Sequence, residues 1–73
     1  MKKANRESLR MALYEYQHAH RVFVNAEQKA REYEELGIDG PLLSPTVPVA
    51  LERWMLSMDL LEETLERVLE DER

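Results

Sequence analysis

Residues Ala12–Ala26 read ALYEYQHAHRVFVNA, and the fold turns on their spacing. Alanine recurs at 12, 19 and 26, every seventh position, with Tyr16 and Phe23 between. Extended in both directions, the apolar series is Leu9, Ala12, Tyr16, Ala19, Phe23, Ala26, Ala30 and Tyr33, in alternating steps of three and four. That average period of about 3.5 residues belongs to a helix that keeps one face against another helix. Small residues every heptad lower the ridge on that face, so a neighbour can approach toward the short end of the usual 8–10 Å range. The spacing therefore predicts a helix from about Asn5, as N-cap, to Leu36. Gly37 is placed to end it in the left-handed conformation with Ile38 folding back on Tyr33.

A second stripe, Leu51, Trp54, Met58, Leu61, Leu65 and Val68, widened by Met55 and Leu69, has the same steps and predicts a helix from about Pro48 to Asp71. Ser44 or Thr46 is available to cap it, and a proline is tolerated in its first turn. The connection over 37–47, GIDGPLLSPTV, contains turn-forming Gly37, Gly40 and Pro41 and apolar Ile38, Leu42, Leu43 and Val47. It is expected to fold over the end of the helix pair. Residues 1–73 thus form a single all-α domain, an antiparallel two-helix hairpin, with the large side chains of the second helix meeting the alanines of the first.

One hairpin is a poor way to stabilise 73 residues. A domain this short buries only about 60% of its unfolded surface. It has no cysteine and two histidines, so neither disulfides nor a structural zinc site are expected to compensate. Val49, Leu56 and Leu60 lie nearly opposite the Leu51–Leu65 stripe at about 100° per residue, where the other helix of the hairpin cannot reach. Leu13, Val22 and Val24 flank the alanine seam. Apolar residues on two sides of a helix call for more than one neighbour. A homodimer forming a four-helix bundle meets that need. Leu42, Leu43, Val49, Leu56 and Leu60 are the candidate contacts for an unidentified partner protein.

No apolar run approaches the ~20 residues of a membrane span, and no apolar segment follows the basic start MKKANRESLRM. A cytoplasmic location is expected. The net charge of −5 is uneven: residues 1–36 carry seven basic and six acidic side chains, and residues 37–73 three and nine. That balance disfavours general nucleic-acid affinity. Still, Lys3, Arg6, Arg10, Tyr14 and Arg21 share one face of the first helix, a pattern that can contact phosphates and stack a base. The competing reading has these basic residues complementing the acidic end LEETLERVLEDER of the second helix, which an antiparallel hairpin brings alongside.

No Ser–His–Asp or Cys–His set and no glycine-rich phosphate loop is present, so a non-enzymatic protein without cofactor is expected. Glu15 and His18 form an E-x-x-H pair of the kind found in metal-binding bundles, but they lie about 90° from the alanine seam and so are read as a solvated flank. His20, closer to the seam, is read as a boundary residue.

Ala12, Tyr16, Ala19, EELG at 34–37, LSPTVPVALE at 43–52 and Leu61–Leu65 together resemble the helical hairpin of phage small terminase subunits. That resemblance implies oligomerisation and DNA recognition during packaging. Residue chemistry alone favours a homodimeric interaction protein, with a nucleic-acid-binding regulator or packaging factor as the alternative.

Overall fold

The computed structural model describes residues 1–37 and 46–73, which form two packed helices, α1 (Lys3–Glu35) and α2 (Thr46–Glu72). The expected roles of Ile38, Leu42, Leu43 and Ser44 fall outside the described residues. The helices run antiparallel. The Lys2 backbone N–H donates to Glu72 Oε1 at 2.6 Å, and Lys2 Nζ lies 3.1 Å from Asp71 Oδ2, joining the start of the chain to its end. The pair is a rod with principal extents of 55 × 14 × 13 Å.

The N-cap of α1 lies three residues earlier than the sequence suggests. Lys2 occupies the cap position in extended conformation, with no side-chain cap bond. Asn5, expected as the cap, lies inside the first turn, and its amide donates instead to Asp71 Oδ2 at 2.7 Å. At the other end Gly37 adopts φ +72, the left-handed stop read from the sequence. Leu36 and Gly37 N–H groups close on the Glu32 and Glu34 carbonyls at 3.1 and 3.0 Å.

Each helix places charge of the wrong sign on its own dipole: Lys2, Lys3 and Arg6 at the start of α1, Glu70, Asp71 and Glu72 at the end of α2. Antiparallel packing turns both faults to advantage, because the basic start of α1 then sits beside the negative end of α2. The terminal ammonium is 3.9 Å from Glu72, completing a small ionic cluster with Lys2, Asn5 and Asp71. The Asn5 hydrogen bond, then the hydrogen bond and charge of Lys2, hold the Asp71 carboxyl below the usual carboxylate range. Its folded value is depressed, so its contribution is present above about pH 4 and is lost as pH falls through the lowered value. Acidification below about pH 4 should therefore loosen residues 1–6 and 68–73. Amide exchange read residue by residue checks this, and Asp71→Asn should remove the acid-induced step.

With Lys2 opposite Asp71, residues whose numbers add to about 73 are level with one another. Ala12 is then level with Leu61, Ala19 with Trp54, Tyr16 with Ser57, Leu9 with Thr64 and Phe23 with Ala50. Each layer opposes one small and one large side chain. Among the described residues the buried ones are Ala12, Ala19, Ala50, Ser57, Thr64 and Val68. The α2 seam is therefore Val47, Ala50, Trp54, Ser57, Leu61, Thr64 and Val68, the residues of α2 that are buried or half-buried. This corrects the sequence reading, which put Leu51, Met58 and Leu65 in the seam; all three are exposed to one side of it. The physical reason is rotational: Ala50, Ser57 and Thr64 take the positions that face α1, so Leu51, Met58 and Leu65, each one residue (about 100°) further round the helix, fall beside the seam. Ser57 and Thr64 tolerate burial because their hydroxyls donate to the Trp54 and Leu60 carbonyls at 2.6 and 2.7 Å.

Candidate functional site

The concavities described are open to solvent, such as the one lined by Glu63, Glu66, Arg67 and Glu70. The candidate sites are therefore sought on the faces of the helix pair. Three are distinct: the two broad sides of the helix pair, and the outer face of α1.

The first broad side is built by α2 residues Leu51, Met55, Met58, Leu65 and Leu69, all exposed, with Leu13 and Val24 of α1 beside them. In an antiparallel pair of right-handed helices, the position after the small seam residue (13 and 20 on α1; 51, 58 and 65 on α2) falls on the same side for both. The aromatic contacts agree. The His20 ring is 4.8 Å from Trp54 and 6.3 Å from Tyr16, while Phe23 stacks on Trp54 at 5.2 Å. Trp54 Nε1 is buried here with no acceptor among the described residues. The apolar series Leu51–Leu69 is interrupted only at Glu62. Sequence reading missed this face because it spent these residues on the seam. The signal that would have found it is Ala50, Ser57 and Thr64, spaced by seven like the alanines of α1.

The opposite broad side carries Val49, Leu56 and Leu60 from α2 and Met11 from α1, all exposed, with half-buried Val22. Leu56 is 62% exposed and Leu60 47%. The helical hairpin thus brings three of the five residues singled out as partner contacts to one side, and Leu42 and Leu43 lie outside the described residues. Arg53 and Arg67 rim the patch and form no ion pair among the described residues. Glu15 and His18 flank it, both exposed; the His18 ring lies parallel to Tyr14 at 6.2 Å. Among the described residues no group of three His, Asp or Glu side chains is disposed to hold a metal ion.

The outer face of α1 presents Lys3, Arg6, Arg10, Tyr14 and Arg21 to solvent. The acidic end of α2 is complemented by Lys2 and the terminal ammonium and not by the basic residues of this face that were expected to do so. Lys3, Arg6, Arg10 and Arg21 form no ion pair among the described residues. On α2, Glu52, Asp59, Glu62 and Glu66 are equally without a basic partner in the described residues. Charge is thus separated across the width of the rod, positive toward the first half of α1 and negative along α2.

No described helix is long and apolar enough to cross a membrane. Compared with known protein families, curated proteins and solved structures, the chain matches none of them.

Proposed function

We propose that the chain is a small non-enzymatic interaction protein that works as a homodimer, forms a four-helix bundle and presents a helical face to a partner protein, in the cytoplasm. The observation that carries this reading is the poverty of the hairpin core. Among the described residues the buried side chains are three alanines, a valine, a serine and a threonine, and no large side chain is fully buried. The chain exposes 5988 Å². A compact monomer of its 8.6 kDa mass exposes roughly 4,700 Å², so the excess is on the order of 1,300 Å². A stable protein–protein interface takes about 800 Å² from each partner. One broad side can therefore be covered by a second copy, and the other, with Val49, Leu56 and Leu60, is left for the partner. Unpaired Arg53 and Arg67 at its rim suit a partner helix with acidic residues beside an apolar stripe.

Thermal unfolding at increasing protein concentration tests this. Mass action requires the midpoint of a folded dimer to rise with concentration. Leu56→Asp combined with Leu60→Asp should retain that rise while abolishing partner function in the native cell. A midpoint independent of concentration contradicts the dimer.

The second reading, a nucleic-acid-binding regulator or phage packaging factor, draws on the unpaired Lys3, Arg6, Arg10 and Arg21 beside Tyr14, which is 65% exposed. It predicts that a fluorescent DNA duplex binds with steep salt dependence and that Arg6→Glu with Arg10→Glu and Arg21→Glu abolishes binding. The first reading predicts no binding of that probe at physiological salt.

A further inference from the structure

We infer that the second copy docks on the Met58 side, with α1 of each chain lying over α2 of the other and the two-fold axis parallel to the rod. The inference rests on the homodimer reading and specifies its geometry. Two closed arrangements can bring this side of one hairpin against the same side of another. With the axis parallel to the helices, α1 faces the partner copy's α2. With the axis across them, α1 faces α1 and α2 faces α2.

The apolar residues entering the bundle are the same in both arrangements, so the charged edges decide. Helix α2 carries eight acidic and two basic residues, and Glu52, Asp59, Glu62 and Glu66 have no basic partner among the described residues. Packing α2 against its own copy would align these carboxylates along one seam. Packing α2 against α1 brings them to Arg6, Arg10 and Arg21, which are equally unpaired in the single hairpin.

Axial position supports the match. Rotation about an axis parallel to the rod leaves every residue at its own level. Pairs level within the hairpin are therefore level across the dimer, and the nearest second-stripe residues have numbers adding to about 75, within about 3 Å of level. Val24 then meets Leu51 of the other copy, His20 meets Met55, and Leu13 meets Glu62. Arg10 falls within about 3 Å of the level of Leu65, with Glu62 and Glu66 each within about one turn of it. Arg6 lies near Leu69 and Glu66, and Arg21 near Glu52. The aliphatic stems of the arginines cover the leucines while their guanidinium groups reach the carboxylates. The interruption of the apolar stripe at Glu62 is thus where the other copy supplies Arg10.

The chain contains no cysteine, so single introduced thiols report geometry directly. Val24→Cys mixed with Leu51→Cys and oxidised with glutathione should give a covalent heterodimer. Leu51→Cys mixed with Leu69→Cys should not. With the axis across the helices the second pair is adjacent and the first is about 25 Å apart along the rod. A 51–69 cross-link, or a dimer in which 24–51 fails to form, overturns the docking geometry and leaves self-association standing. A monomer overturns both. Charge gives a second readout of opposite sign in the two cases. Glu62→Lys should weaken association at least tenfold, and mixing it with Arg10→Glu should restore tight pairing. Tighter association of Glu62→Lys alone would overturn the inference, because it would mean that Glu62 faces like charge.

Discussion

Met58→Asp combined with Leu65→Asp is expected to reduce dimerisation by more than a hundredfold and, at micromolar concentration, to remove most of the helical signal. Both side chains are partly exposed in the single hairpin, at 36% and 44%, so aspartate there meets water and creates no buried charge within one chain. A chain that folds alone would tolerate the pair at a cost of about 0.5 kcal/mol per site. In the dimer the same positions lie in the bundle interior, where an unpaired carboxylate is costly enough to prevent association. Loss of the dimer then exposes a core of mostly small residues that lacks the burial to offset chain entropy. Leu56→Asp with Leu60→Asp is the matched control. It introduces the same chemistry on the other side of α2 and should leave association and helix content intact. Circular dichroism at several concentrations, on both double variants, separates the two sides.

Ala19→Leu is expected to destabilise by about 1–3 kcal/mol, lowering the thermal midpoint by roughly 4–24 °C at fixed concentration. Ala19 is only 1% exposed and level with Trp54, whose ring already lies against His20 and Phe23. Leucine would have to push the helices apart over several layers, because the short approach is set jointly by Ala12, Ala19, Ala50 and Ser57. The exposed Ala4 provides the contrast: leucine there should change the midpoint by no more than a degree or two, since both residues favour helix. Equal midpoints for Ala19→Leu and Ala4→Leu would show that the seam does not run through Ala19.

The helices and the stop at Gly37 were legible in the sequence because each rests on local chemistry: a 3.5-residue period, a glycine able to take positive φ, and no proline inside either helix after the first turn. The alanine seam of α1 was legible for the same reason. What misled on α2 was hydropathy. Leu51, Met58 and Leu65 were placed in the stripe, and the polar Ser57 and Thr64 were passed over. Their hydroxyls, however, are satisfied by the carbonyls of Trp54 and Leu60, so those small side chains can be buried and the leucines are displaced outward. Asn5 shows the complementary limit. Its cap-forming chemistry is visible in sequence, but the acceptor it uses, Asp71, is 66 residues away and known only once the helices are paired. Candidate surfaces were legible where they depended on one helix, as with Val49, Leu56 and Leu60. The Met58 side required knowing which face of α2 the hairpin had already used.

Sedimentation equilibrium of the unmodified chain at low micromolar concentration tests the central claim most directly. The account predicts a species of twice the 8.6 kDa chain mass that dissociates only on dilution, with helix content falling as it does so. A stable, fully helical 8.6 kDa monomer across that range would contradict it.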